Sequence, residues 1–222
     1  MEKFELCKTP FGTYLLRIMD LVSDILKRGF WEQETKVIFD KITPEMVVVE
    51  VGSYIGDHTI YLAKRCKTIY AFEASTENYY QLCANILLNS CMNNIVPYNI
   101  CIGASLGTAR LTFVAYNNFA GTTFKKDSAG TLSMSTLDEI LLDKLDRLDL
   151  LITDVEGMDL EVLLGAESLI NKFKPEILFE YNGGSTDSNN IAQDLNDYYK
   201  YLEKFGYAVI YLDGWNYYAT CK

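Results

Sequence analysis

Positive charge is what this chain has least of. Its 222 residues carry 20 lysines and arginines against 30 aspartates and glutamates, a formal net charge of -10 and a pI of about 4.6. Such a field repels a phosphate backbone, so nucleic acid is a poor partner for it. Long apolar runs are missing too. No segment approaches the roughly 18 to 20 apolar residues of a membrane span, and Arg17, Asp20 and Asp24 break the apolar positions between Phe11 and Leu26, which excludes a secretory signal there. A soluble, cytoplasmic chain is the expectation. The six cysteines, Cys7, Cys66, Cys83, Cys91, Cys101 and Cys221, form no CxxC pair and show no metal-ligand spacing, so they read as reduced residues, mostly of the core. There is no internal repeat, no interdomain linker, and a single histidine, His58.

What is there is an alternation of short apolar strands and helices. Residues 46–51, 68–73, 94–100, 148–154, 176–181 and 207–212 are apolar and mostly β-branched or aromatic. Between them, 57–66, 76–90, 136–142, 158–170 and 191–205 have helical character and suffice for parallel crossovers. The pattern predicts an α/β, Rossmann-like, mostly parallel seven-stranded sheet with helices on both faces. Ala109 to Ala115 adds an inserted strand, and Leu212-Asp213-Gly214-Trp215 reads as a tight hairpin leading into an antiparallel last strand, 215–221. Ahead of the sheet, Phe11 to Leu26 and Trp31 to Ile42 read as two amphipathic helices separated by Gly29. Residues 1–45 are thus expected to form a helical extension packed on a single globular domain, 46–222. The polar stretch Asn182 to Asn190, just past a strand end, has the composition of a lid.

The most informative segment runs from Glu50 to Thr59, EVGSYIGDHT, directly after a hydrophobic strand and at the opening of a helix. Gly52 and Gly56 allow backbone to approach a ligand. Glu73 ends the next strand, where a carboxylate can accept both hydroxyls of an adenosine ribose. The dinucleotide fingerprint G-x-G-x-x-G lacks its middle glycine here, and Glu50 and Asp57 bracket the loop with negative charge. That charge opposes a pyrophosphate and suits a ligand bearing an ammonium and a sulfonium, S-adenosylmethionine. Read singly, the glycines can serve an ordinary strand-to-helix turn, and Glu73 can be a solvated strand end.

A second constellation follows the fourth main strand, in Asp154-Val155-Glu156-Gly157, and Glu180 closes the strand after that in LFEYN. Here the chain resembles the FkbM family of methyltransferases, from Gly29 to about Tyr211. The matching pieces are GFWEQET, VVVEVGSYIGDHT, YAFEAS, ICIGASLGTARLTF, STLDEIL, LLITDVEGMDLEVLLGA and PEILFEYN. The D-V-E-G run followed by L-E-V-L-x-G-A is the most specific. Glu50, Ser53 and Tyr54 stand where the family usually has Asp, Ala and Asn; the first change keeps a carboxylate, whereas Tyr54 replaces an amide. The family's F-E-P is Phe72-Glu73-Ala74, which keeps the ribose acid.

The resemblance implies a class I fold and transfer of a methyl group to a hydroxyl of a sugar or glycan, for example a deoxyhexose such as rhamnose or fucose. It implies cofactor contacts at Glu50, Gly52, Ser53, Tyr54, Gly56, Asp57, His58, Thr59, Glu73, Ala74, Ser75, Cys101, Ile102 and Asp154. An alcohol of pKa near 15 needs a positioned base or a metal to attack in line. Asp154 or Glu156 is the expected base. Glu180 and Asn182 orient substrate with Glu156, or Asp154 and Glu180 hold a divalent ion such as Mg or Mn. Other assignments stay open: Glu156 as a helix cap, Glu180 as an ion-pair partner of Arg or Lys. His58, in a helix's first turn, reads as packing or as a contact to the methionine end of the cofactor. The tyrosines at 198, 199, 201, 207, 211, 217 and 218 read as core.

Three rival functions remain. Base methylation lacks its N/D-P-P-Y/F run, since TDVEG stands in that place. A nicotinamide-dependent sugar-modifying enzyme lacks the middle glycine. A catalytically silent cofactor-binding module fits if the carboxylates are structural. The expected partner is a small molecule or glycan, and a homodimer through the N-terminal helices is compatible. Asparagine- and tyrosine-rich usage points to an AT-rich genome, and in a viral setting the compartment is the host cytoplasm.

Overall fold

The structure is a computed structural model that describes residues 3–29, 32–115, 117–183 and 194–221. In chain order it comprises β1 (Phe4–Lys8), β2 (Thr13–Arg17), α1 (Leu21–Leu26), α2 (Gln33–Phe39), β3 (Val47–Val51), α3 (Asp57–Ala63), β4 (Thr68–Phe72), α4 (Thr76–Leu88) and β5 (Ile95–Tyr98). Then come β6 (Cys101–Ile102), β7 (Gly107–Ala115), β8 (Asn118–Lys126), β9 (Leu132–Ser135), α5 (Leu137–Leu141) and β10 (Leu150–Thr153). The chain closes with α6 (Asp159–Leu164), α7 (Glu167–Phe173), β11 (Glu176–Glu180), α8 (Leu195–Glu203), β12 (Tyr207–Asp213) and β13 (Asn216–Cys221).

Seven strands form the main sheet in the order β12-β13-β11-β10-β3-β4-β5. β10 pairs in parallel with β3 and β11, and β3–β4 and β4–β5 are parallel as well; β13 is antiparallel to both its neighbours. The strand alternation decides which side chains face which helix layer. In β3, Val48 joins a core with Ile60, Leu82 and Phe39, while Val47, Val49 and Val51 join the opposite one with Leu137, Leu163 and Leu202. Both faces are therefore covered, and the central strands are apolar except for Glu50 in β3 and Thr153 in β10. The mostly parallel sheet with a reversed last strand agrees with the sequence pattern.

Three expectations need correction. The residues from Phe11 to Leu26 are not one helix: Thr13–Arg17 is a strand, hairpinned to Phe4–Lys8, and only Leu21–Leu26 is helical. The reason lies in α4. Its Gln81 and Asn85, with Asn89 at its C-cap, recur every four residues, about 6 Å along a helix axis, which matches two residues of strand. They hydrogen-bond the free edge of β2: Leu15 N–H donates to Asn85 Oδ1 at 2.7 Å and Gln81 Nε2 donates to Leu15 O at 2.7 Å. Asn89 does the same for Thr13, at 3.0 and 2.7 Å.

The inserted strand, in turn, is one of four, in a second sheet ordered β6-β9-β7-β8. Residues 158–170, expected as one helix, are two, α6 and α7. Between them a Cβ on Gly165 would lie 2.1 Å from the carbonyl oxygen of Gly103, so the backbone is pressed there against the second sheet's edge. Residues 191–193 and most of the polar stretch 182–190 fall outside the described residues, so the proposed lid does too.

Among the described residues no helix is long and apolar enough to cross a membrane. All six cysteines are free; Cys66, Cys91 and Cys101 are buried and Cys221 is exposed.

Candidate active site

The carboxyl ends of β3, β4, β10 and β11 open into one cavity of about 390 Å³. Gly52 starts its floor. The turn after β3 needs a φ of +91° at this position, and a Cβ would lie 1.8 Å from the carbonyl oxygen of Asp154, so only glycine lets β3 and β10 end side by side. Tyr54 holds a left-handed φ of 45°, unfavourable for an aromatic residue. Its hydroxyl donates to Asp20 Oδ2 at 2.8 Å, in the interior. Asp20 also caps α1 through Ser23 and accepts from Phe119 N–H at 3.1 Å, tying the N-terminal segment, the loop and β8 together.

Glu73 lines the cavity and is 6% exposed. The backbone N–H groups of Tyr54 (2.8 Å) and Ser75 (2.7 Å) donate to its two carboxylate oxygens, and burial pushes its pKa up to about 7. Gly52, Tyr54, Asp57, His58, Ala74, Cys101, Ile102 and Asp154 line the same cavity. Glu50, Ser53, Gly56, Thr59 and Ser75 do not. Glu50 points to the other side of β3, 3% exposed, where Thr59 donates to it and burial pushes its pKa up to about 7. Ser75 caps α4 through Asn78 N–H at 3.4 Å. These residues shape the loop from behind.

On the opposite side, Asp154, Glu156 and Glu180 bring one carboxylate oxygen each within 4.8 Å of the others. Adjacent parallel strands place Asp154 and Glu180 at neighbouring ends, as the pairing Thr153 with Phe179 sets the register. Burial raises the pKa of both; the charge of Glu32 adds to this at Asp154, where a hydrogen bond from Glu180 opposes it, and Glu180 is raised furthest, having Asp154, Asp159 and Glu156 around it. The pair accordingly shares a proton near neutral pH, held on Glu180 and hydrogen-bonded to Asp154. Among the described residues, Glu180 Oε2 has no further hydrogen-bond partner. Glu156 sits at φ 54°, a strained conformation, and burial with Asp154 pushes its pKa up to about 7.

Glu156 does not cap α6, which has Met158 at its N-cap and no side-chain cap bond. Instead Asn182 Nδ2 donates to Glu156 at 3.5 Å, and Asn182 itself stays behind the lining. Nor does Glu180 pair with a cation: the described cavity lining has Glu32, Asp57, Glu73, Asp154, Glu156, Glu180 and Asp213 but no lysine or arginine. His58, 9% exposed, lies 3.6 Å from Glu32 and 3.9 Å from Asp57, edge-on to Phe39. Burial lowers its pKa, but Asp57, Glu32, Glu50 and Asp154 outweigh that and raise it, so the imidazolium that the helix start disfavours is favoured by its neighbours. Most of the tyrosines pack as expected: Tyr198 and Tyr217 stack on Phe179 at 5.0 and 5.4 Å.

Several lining residues escaped the sequence reading. Glu32 precedes α2, Asp213 to Asn216 form the turn after β12, and Asn118, Ala120, Thr122 and Phe124 form one face of β8. Asp159, buried, accepts from Thr153 Oγ1 at 2.9 Å and fixes the turn that carries Glu156. Its place inside the DVEGMD run was the available signal.

A switch-point crevice of this sheet order, one strand-end acid held by backbone N–H groups and a facing carboxylate set define a Rossmann-like enzyme of the methyltransferase type. The chain belongs to the FkbM family: the methyltransferase FkbM domain matches residues 50–209. The structure is similar to an FkbM methyltransferase from Methylobacillus flagellatus KT, with 18% identity and a TM-score of 0.57 over 80% of this chain and 44% of that one. This chain thus spans less than half the length of that protein. A putative methyltransferase from Streptococcus mutans in complex with SAH shares the fold at 9% identity and a TM-score of 0.52, covering 86% of this chain and 99% of that one. A precorrin-6y C5,15-methyltransferase from Geobacter metallireducens GS-15 does so at 13% and 0.50, covering 86% and 87%. Comparison with curated proteins gives no significant match.

Proposed function

We propose that the protein is an S-adenosylmethionine-dependent O-methyltransferase acting on a hydroxyl of a sugar or glycan. The observation that carries the reading is the charge of the cavity: carboxylates on every side and no lysine or arginine among the described lining residues. A ligand with an ammonium and a sulfonium is favoured in such a field, and a pyrophosphate is not. The cradle fits the cofactor in a second way, because Gly52 lets the turn after β3 close against the Asp154 backbone and Glu73 is pre-oriented by two backbone donors. When bound, S-adenosylmethionine supplies a methyl group on a sulfonium, the electrophile of the reaction.

The chain's own groups do the rest. Glu73 binds the ribose hydroxyls. Asp154, the ionised member of the shared-proton pair, receives the proton of the attacking alcohol, and Glu180, protonated, holds Asp154 in place. Glu156 takes a second acceptor hydroxyl and is steadied by Asn182. Asp154, Glu156 and Glu180 also make an all-oxygen donor set that fits Mg²⁺ or Mn²⁺, which would supply charge to acidify the alcohol. A cytoplasmic setting, without nucleic acid as substrate, accords with the acidic surface.

Titration calorimetry with S-adenosylmethionine, S-adenosylhomocysteine and NAD tests the reading. Binding of the first two, weakened roughly tenfold or more in Glu73→Ala by loss of charge-assisted contacts, is expected. Tight NAD binding in their place overturns it, and cofactor binding without turnover on any glycoside points to a silent module.

A further inference from the structure

One wall of the cavity has no part in the chemistry described above. It is built from the turn between β12 and β13, Asp213 to Asn216, together with Glu32 ahead of α2. Strand register sets Asn216 directly opposite Glu180, and Tyr181 N–H donates to the Trp215 carbonyl at 2.8 Å. The turn is therefore pinned to the strand end that carries the reactive carboxylates. Trp215 lines the cavity and is still 58% exposed, so a broad indole surface is on offer to whatever enters.

Glu32 occupies the N-cap position of α2 and makes no side-chain cap bond, so the helix end does not hold its carboxylate. Asn216 and His58 hold its carboxylate toward the cavity instead. Asn216 also donates to Asp213 Oδ1 at 3.2 Å, so one amide fixes two acids beside the turn that carries the indole. The result is an aromatic platform flanked by hydrogen-bond acceptors.

We propose that this wall is the acceptor subsite: Trp215 stacks on the acceptor's ring, Glu32 and Asp213 accept from its hydroxyls, and the site admits an uncharged ring while rejecting the same ring bearing a phosphate or nucleoside diphosphate. The exclusion follows from charge. An anion brought into this cavity loses water and meets acidic groups on all sides, with no lysine or arginine on the described lining and with His58 already facing Glu32 and Asp57. A neutral ring loses no charge hydration, lays its apolar C–H face on the indole and hands its hydroxyl protons to the acids. The inference rests on the methyltransferase reading for what happens to the ring, and on the turn alone for what the ring is.

Saturation-transfer NMR tests it with defined probes: methyl glycosides of glucose, mannose, rhamnose and fucose, against glucose 1-phosphate, mannose 6-phosphate and a nucleoside-diphosphate hexose, all in EDTA. At least one neutral glycoside is expected to bind, and phosphorylated sugars at least about tenfold more weakly. Trp215→Ala is expected to abolish the neutral signal and Trp215→Phe to keep part of it, with cofactor affinity by calorimetry unchanged within about threefold. In a Trp31→Phe protein, where Trp215 is the sole tryptophan, its emission should respond saturably to the same glycoside. Equal or tighter binding of a phosphorylated sugar, silence of the whole neutral panel, or a retained signal in Trp215→Ala overturns the proposal. Loss of cofactor binding in the wild-type protein strikes the methyltransferase reading alone, because the glycoside titration needs no cofactor.

Discussion

The hydroxyl of Tyr54 donates to Asp20 across 2.8 Å of protein interior, joining the loop after the first central strand to a segment more than thirty residues earlier. The residue has a left-handed backbone and stands where the FkbM resemblance implies an asparagine. Asparagine tolerates that conformation readily and tyrosine does not. The bond to Asp20 offsets the strain, and it makes the N-terminal segment part of the support of the loop after β3.

Tyr54→Phe is accordingly expected to be costly despite its small size. Asp20 is fully buried and, among the described residues, keeps the donors from Ser23 and Phe119, so losing the phenol hydroxyl should cost about 1 to 3 kcal/mol. At about 2 to 4 °C per kcal/mol for a chain of this size, thermal melting should report the loss directly. Cofactor affinity should weaken as well, since the Tyr54 N–H orients Glu73. An unchanged melting temperature would show that the loop is self-supporting.

Gly52→Ala should be worse. The added methyl meets the Asp154 carbonyl at 1.8 Å, and the φ of +91° disfavours any side chain. Backbone is on both sides of the clash, so neither partner yields cheaply, and a loss of at least about 3 kcal/mol in urea unfolding is expected. Wild-type stability in that variant would mean that β3 and β10 can part at their ends without penalty.

The buried acids also set an unusual pH dependence. Glu50, Glu73 and Asp159 are almost inaccessible, and burial pushes each up to about 7 from ordinary carboxylate values near 4. Their folded forms hold protons that the unfolded chain has already released between those values, so stability falls as pH rises through that window. His58, also raised, has the same sign, its contribution being lost as pH rises through its folded value. Each unit of upward shift removes about 1.4 kcal/mol above it. The ligand-free protein should therefore melt about 5 °C or more higher at pH 5 than at pH 8. A flat or rising profile would show that water reaches these acids in the folded state.

Asp154→Asn separates chemistry from binding. The amide keeps the shape and a hydrogen bond to Glu180 but cannot take a proton, so turnover should fall by about two to four orders of magnitude. Cofactor affinity should stay within a few-fold. Full activity in that variant, followed by mass spectrometry of the methylated glycoside, would move the base to Glu156.

Much of this was legible in residue order. The apolar runs around Val49, Leu151 and Phe179 are buried on both faces, and such runs alternating with amphipathic helices can only build a parallel sheet with helices on either side. Glycine at position 52, the acid at 73 and the acids at 154, 156 and 180 end those strands, so their gathering at one edge follows from the topology itself. The misread elements are of another kind. Tyr14, Leu15 and Leu16 have an apolar pattern that fits helix or strand, and the choice fell to Asn85 and Gln81, seventy residues away, whose amides complete a strand edge.

Local sequence determined the doubly wound frame, the glycine turn after β3 and which acids end the strands, because strand ends are set by short-range periodicity and turn chemistry. Only tertiary structure decided which acids share a proton, that Glu32 and the turn bearing Trp215 close the cavity, and that Tyr54 leans on Asp20. Those outcomes depend on burial and on groups distant in the chain meeting across a few ångströms, where desolvation and the sign of neighbouring charge govern what each side chain can do.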